Sequence, residues 1–94
     1  MLAKGKYPRL APGLRLVHPQ GTEQYFAYRP DTGARYEVNE VSFRMMGMMN
    51  GDNEVEVICS AIRQEFSGAD SVVRDLETLL QQLVREECVM IEEK

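Results

Sequence analysis

Residues 36–51 read YEVNEVSFRMMGMMNG. Within this stretch the spacing of apolar side chains changes period. Tyr36 and Val38 alternate with Arg35 and Glu37, so one pair faces a core and the other faces water, as in a half-buried strand. After Asn39 the apolar residues Val41, Met45, Met48 and Met49 recur at helical spacing, with Phe43 among them. Asn39 is a favoured N-cap residue, and Asn50-Gly51 predicts the helix stop and the turn after it. A strand ends and a helix begins here, so the chain on either side divides into a β half and an α half.

Working toward the N-terminus, YFAYR (25–29) is aromatic and strand-like, and PDTG (30–33) has the residues of a tight β-turn. LRLVH (14–18) alternates apolar and polar residues. Three strands joined by short turns predict an antiparallel meander over residues 14–38. Residues 1–13, MLAKGKYPRLAPG, are rich in Lys, Pro and Gly and are expected to form an N-terminal arm leading into a single domain over 14–94.

Toward the C-terminus, Asn53 with Glu56 three residues on suggests a second N-cap in a capping-box arrangement. Apolar residues at 55, 58, 59, 62 and 66 then mark a helical stripe. Ser67-Gly68 interrupts it. A longer helix is expected from about Asp70 to Glu87, with apolar positions 72, 73, 76, 79, 80, 83 and 84. That stripe is wide enough to touch two neighbours. CVMI (88–91) closes as an extended segment. The order β-β-β-α-α-α predicts an α+β fold, winged helix-turn-helix-like, in which a three-stranded antiparallel β-meander is followed by three α-helices.

Composition narrows the functions. With 94 residues, 44% hydrophobic and 28% charged, the chain has the balance of a single globular domain. No apolar run approaches the roughly 20 residues that span a bilayer. The first residues lack the apolar core of a signal peptide, so a cytoplasmic protein with no membrane partner is expected. Cys59 and Cys88 sit in apolar contexts and belong to no CxxC pair, which favours packing over a disulfide.

Catalytic and metal chemistry find little support. The one histidine, His18, stands at a predicted strand end with no nucleophile motif near it. The glycines form neither a GxxxxGK[ST] nor a GxGxxG loop, and NGDNEVE (50–56) lacks the ligand register of a calcium loop. Met45/Met48 and Met46/Met49 are i, i+3 pairs that suit Cu(I) in principle, yet no His or Cys adjoins them. Core packing is the better reading. An adaptable binding or dimer surface is second, which keeps a homodimer among the partners considered. No catalytic residue, metal ligand or cofactor is expected.

A winged helix-turn-helix is most often a DNA reader, and charge argues against that here. Residues 36–94 carry five Lys/Arg and thirteen Asp/Glu, a net −8, against +4 for residues 1–35. The helix in the recognition position sets Arg74 and Arg85 against Asp70, Asp75, Glu77, Glu86 and Glu87, the wrong sign for a phosphate backbone. A nucleic-acid-binding regulator stands as the alternative class, and a structural or dimerisation module as a third.

Several segments taken together resemble a known family. They are Pro8-Arg9-Leu10-Ala11-Pro12-Gly13-Leu14-Arg15-Leu16, then Tyr36-Glu37-Val38-Asn39-Glu40-Val41-Ser42, then Gly51, then Asp75-Leu76-Glu77-Thr78-Leu79-Leu80-Gln81-Gln82-Leu83. Their order and spacing over nearly the whole chain are similar to the PqqD family. The resemblance implies a peptide chaperone that holds a ribosomally made precursor, or leader, peptide for a modifying enzyme such as a radical SAM protein in pyrroloquinoline quinone (PQQ) biosynthesis. Relatives serve as recognition elements in other peptide-modifying pathways. It also implies that the peptide adds as a strand to the third β-strand, in a groove against the third helix. The peptide-binding candidates are therefore Arg35, Tyr36, Glu37 and Val38 on the strand, and Val72, Asp75, Leu76, Leu79 and Leu83 on the helix. The sequence leaves open which face of that helix is core and which is groove. Where the family often has Gly after the long helix, this chain has Glu87. Glu is poorly suited to a left-handed cap, so a different helix end is expected.

Overall fold

The alternation seen in the sequence builds the central sheet. In the computed structural model, which describes residues 5–66 and 71–93, strands β2 (Arg15–Val17), β3 (Tyr25–Arg29) and β4 (Ala34–Val38) form an antiparallel meander in the order β2-β3-β4. Leu16 pairs with Ala27, and Ala27 pairs with Tyr36. These three side chains share the face turned to the helices, where Ala27 is buried. The opposite face carries Arg15, Tyr28 and Arg35 in one row and Val17, Phe26 and Glu37 in the next. There the Arg35 guanidinium lies 5.0 Å from the centre of the Phe26 ring, a cation–π contact.

The helices α1 (Glu40–Gly47), α2 (Val55–Glu65) and α3 (Val72–Arg85) share one core with the inner face of the sheet: α1 packs on β2 and β3, and α2 and α3 pack on α1 and on each other. Asn39 caps α1 as expected: its backbone is extended and its side chain accepts a hydrogen bond from Ser42 N at 2.7 Å. Met45, Met46 and Met49 are buried with Ile58, Ile62 and Leu76, so the methionine run supplies core volume. The helix ends earlier than Asn50-Gly51 predicts. Met48 N bonds Met45 O and Met49 N bonds Met46 O, which tightens the last turn and leaves Met48 as the cap. Asn53 does not cap α2. Its side-chain amide donates to Met48 O at 3.0 Å, and Glu54 occupies the cap position without a side-chain hydrogen bond. Ser67, Gly68 and Asp70, the expected break and the expected start of α3, lie outside the described residues.

Residues expected in an arm form a strand. β1 (Lys6–Leu10) pairs antiparallel with β5 (Val89–Glu93), in register from Lys6↔Glu93 to Leu10↔Val89. Arg9 Nε lies 3.3 Å from Glu92 Oε1, and Lys6 pairs with Glu93. The other side of β1 is tied to the α1–α2 turn by Leu10 N to Met49 O at 3.0 Å and Gly51 N to Pro8 O at 2.9 Å. Gly51 has φ +84°, and a Cβ there would stand 2.6 Å from Arg9 Nη2 and 2.8 Å from Glu92 Oε1. Its absent side chain lets the turn close beneath this ion pair.

The end of α3 also departs from expectation. Cys88 N bonds Leu83 O at 2.7 Å and Glu87 N bonds Val84 O at 3.1 Å. These are the two bonds of a Schellman cap, with Leu83 and Cys88 buried as its usual apolar pair. The left-handed position is filled by Glu87, at φ 59°, instead of glycine. Tertiary ties hold it there: Arg29 Nη2 donates to Glu87 O, and Cys88 continues into β5.

Candidate functional site

An antiparallel meander leaves each outer strand with one row of backbone N–H and C=O groups directed away from the sheet. β4 is such a strand: among the described residues it pairs with β3 alone. Its free side opens on a cleft of about 230 Å³ between β4 and α3. Tyr36, Val38 and Asn39 form one wall, Leu79, Gln82 and Leu83 the other, and Ala27 and Met46 lie at the base. A second depression continues the cleft past the start of α1, where Val41 and Ser42 face Asp75, Thr78 and Leu79.

Local sequence explains how each wall is presented. Alternation along β4 turns Tyr36 and Val38 inward, where both are half-buried, and leaves Arg35 and Glu37 exposed. On α3 a single stripe serves two purposes. Val72 and Leu76 are buried at 1% and 0% exposure, so they belong to the core and present no surface to a ligand. Leu79 and Leu83, at 9% and 6%, reach the cleft. Asp75 and Glu86 lie on the exposed flank of the same wall.

Of the nine residues singled out in the sequence, the cleft and its continuation bring together Tyr36, Glu37, Val38, Asp75, Leu79 and Leu83. Val72 and Leu76 are corrected to core. Arg35 is corrected to the far face of the sheet, over Phe26. Sequence reading missed Asn39, Ser42, Gln82 and Glu86. Gln82 and Glu86 follow Leu79 at i+3 and i+7, the helical spacing that would have drawn them in. Asn39 was read only as a cap and Ser42 only as part of the family-like segment, and the polar start of α1 forms one end of the wall.

Arg29 fixes the far end of the cleft. Its guanidinium, at the end of β3, donates to the carbonyl of Glu87 just past α3. The neighbouring Cys88 side chain is the main influence raising the Arg29 pKa. The hairpin that carries β4 is thereby tied to the helix opposite it. At the other end His18 stacks on Tyr25 at 4.2 Å between ring centres, and Phe43 meets Tyr25 at 4.9 Å. Burial, followed by the charge of Glu40 beside it, pushes the Tyr25 phenol up. His18 is exposed, as expected of a strand-end histidine, with Nδ1 2.8 Å from Gln24 O. Among the described residues no group of three or more His, Cys, Asp or Glu has the arrangement of a metal site. No helix among them is long and apolar enough to cross a membrane.

An open strand edge beside an apolar cleft is a device for taking up extended chain, and the comparisons with known proteins agree with it. The sequence pattern of coenzyme PQQ synthesis protein D (PqqD) matches residues 24–89. The chain belongs to the PqqD family. The matched span includes β3, β4 and all three helices, and so the whole cleft. The solved structure described as TbiB1 in complex with the TbiA(beta) leader peptide is similar to this PqqD-family chain in fold. The TM-score is 0.69 and the identity 22%, over 86% of this chain and 93% of that one. No curated protein matches the chain significantly.

Proposed function

We propose that this PqqD-family domain captures a ribosomally made precursor peptide by strand addition to β4, and presents it to a peptide-modifying enzyme without doing chemistry itself. The observation that carries the reading is the unpaired edge of β4 facing the β4–α3 cleft. Family membership supports it, and so does the fold shared with TbiB1, a protein solved with a leader peptide bound. Backbone pairing supplies register and a sequence-independent part of the affinity, about 0.5–1.5 kcal/mol per bond. Side chains at alternate positions of the added strand enter the cleft, where burying a residue the size of Leu contributes about 1.5–3 kcal/mol. A few of each, less the ordering of a flexible peptide, correspond to a micromolar complex, about 8 kcal/mol. The enzyme that receives the peptide is a radical SAM protein or another modifying enzyme.

The test uses two proline variants at neighbouring positions. Along β4, successive N–H groups alternate between β3 and the open side. Of Glu37→Pro and Val38→Pro, one therefore removes a ladder bond and the other an edge donor. The variant that loses the edge donor is expected to keep its fold by circular dichroism and to lose about tenfold or more in affinity for a precursor peptide that the native chain binds. If that folded variant binds undiminished, strand addition to β4 is wrong.

A further inference from the structure

The cleft carries charge of one sign. Glu86 and Asp75 stand on α3 toward its two ends, and among the described residues no Lys, Arg or His lines either part, while the Glu37 side chain lies on the far face of the sheet in the row of Phe26. Asp75 and Glu86 are eleven residues apart on the helix, three turns and about 16 Å along its axis. The apolar Leu79 and Leu83 lie between them. The wall therefore reads acidic, apolar, apolar, acidic.

Arg29, at the far end of the cleft, is engaged with the Glu87 carbonyl, and the other nearby cations do not line the cleft. Arg74 and Arg85 precede the two acids, and successive helical residues point about 100° apart. Arg85 lines an adjoining depression with Thr78, Gln81, Gln82 and Glu86, and lines neither the cleft nor its continuation. Arg35 is held over Phe26 on the opposite face of the sheet. Asp75 accepts from Ser71 Oγ at 2.9 Å, a neutral partner that leaves its charge uncompensated. The ion pairs Arg44–Glu65, Arg9–Glu92 and Lys6–Glu93 engage other acids.

We infer that the cleft selects a cationic segment: apolar side chains at alternate positions, flanked on both sides by Lys or Arg four or six residues apart, the even spacings nearest the length of the wall that keep both on the cleft side. The spacing follows from the two rises. About 16 Å of helix matches about five residues of strand at roughly 3.3 Å each. Strand addition alone is nearly blind to sequence, and the paired carboxylates supply discrimination, since a leader rich in Asp or Glu meets like charge at each end. This inference rests on the proposal that the cleft takes an extended peptide, and adds which peptides it accepts.

The experiment is a selection from a displayed library of random nine-residue peptides. One arm uses the full chain and the other uses Asp75→Lys/Glu86→Lys, two exposed positions whose replacement is expected to leave the melting temperature within a few degrees. The native chain is expected to enrich Lys and Arg on both sides of alternating apolar residues. The double variant is expected to enrich Asp and Glu there, and peptides selected on the native chain lose about tenfold in affinity for it, as two weak attractions become repulsions. Enriched peptides with no basic excess, or with the same charge in both arms, overturn the charge selectivity while peptide capture stands. No enrichment in either arm, or peptides that bind the folded proline-blocked β4 variant equally well, overturn both.

Discussion

The molecule contains two sheets that treat their backbone edges in opposite ways. In β1–β5 the outer edge of β1 is closed. Pro8 at the centre of β1 has no N–H to offer, the α1–α2 turn bonds the outer side of β1, and the pairs Lys6–Glu93 and Arg9–Glu92 cross the two strands. In β2–β3–β4 the last strand keeps its outer side open, beside a cleft lined by Leu79 and Leu83. The first sheet joins the two ends of the chain and uses its hydrogen bonds internally. The second sheet leaves bonds unmade where an apolar surface is ready beside them. An exposed edge is a liability in a protein that does not use it, so the contrast itself points to β4.

The strongest way to break this comparison is to disturb what both sheets pack on. Leu76→Ala, at a fully buried position, is expected to destabilise the fold by about 2–5 kcal/mol, read as a drop in the denaturant midpoint. A Leu76→Ala protein that kept its stability but lost peptide would return Leu76 to the groove. Next is Gly51→Ala. Its positive φ makes any side chain strained, with an expected loss of about 1–2 kcal/mol. Because Gly51 serves the β1–β5 side, peptide affinity at β4 should be unchanged when measured well below the melting temperature.

Two smaller effects sharpen the picture. Glu87→Gly relieves the left-handed residue at the end of α3 and is expected to stabilise by about 1 kcal/mol in thermal unfolding; the bond from Arg29 to the residue 87 carbonyl is retained. Cys59 gives a pH signature. Burial pushes its thiol up, Arg63 opposes this, and Glu77 and Glu56 add to it. The folded state thus favours the neutral thiol. The stability this supplies is complete below the ordinary thiol range and fades as pH rises through the raised folded value. Iodoacetamide labelling of the native protein at mildly alkaline pH should be slow and should accelerate with denaturant.

Local chemistry made much of the fold legible. The strand YFAYR and the Asn39 cap were readable because a period and a cap are set by neighbouring residues. The features that escaped depend on distant ones. β1 reads as an arm because its partner lies about eighty residues away, and no local signal marks a Lys- and Pro-rich strand. Glu87 adopts the glycine conformation because Arg29 and the start of β5 hold it there. Within the site, the open edge and the Leu79–Leu83 wall were anticipated. The division of the α3 stripe into core at Val72 and Leu76 and cleft at Leu79 and Leu83 was not, because it depends on how α3 packs against α1, α2 and β5.

The most direct test of the central claim is amide hydrogen exchange, residue by residue, with and without the precursor peptide. Strand addition predicts that outward-facing amides among residues 34–38 become strongly protected on binding while those of 89–93 do not change. A peptide that binds tightly, leaves the amides of 34–38 as they were and protects β5 or an outer helix face instead would contradict it.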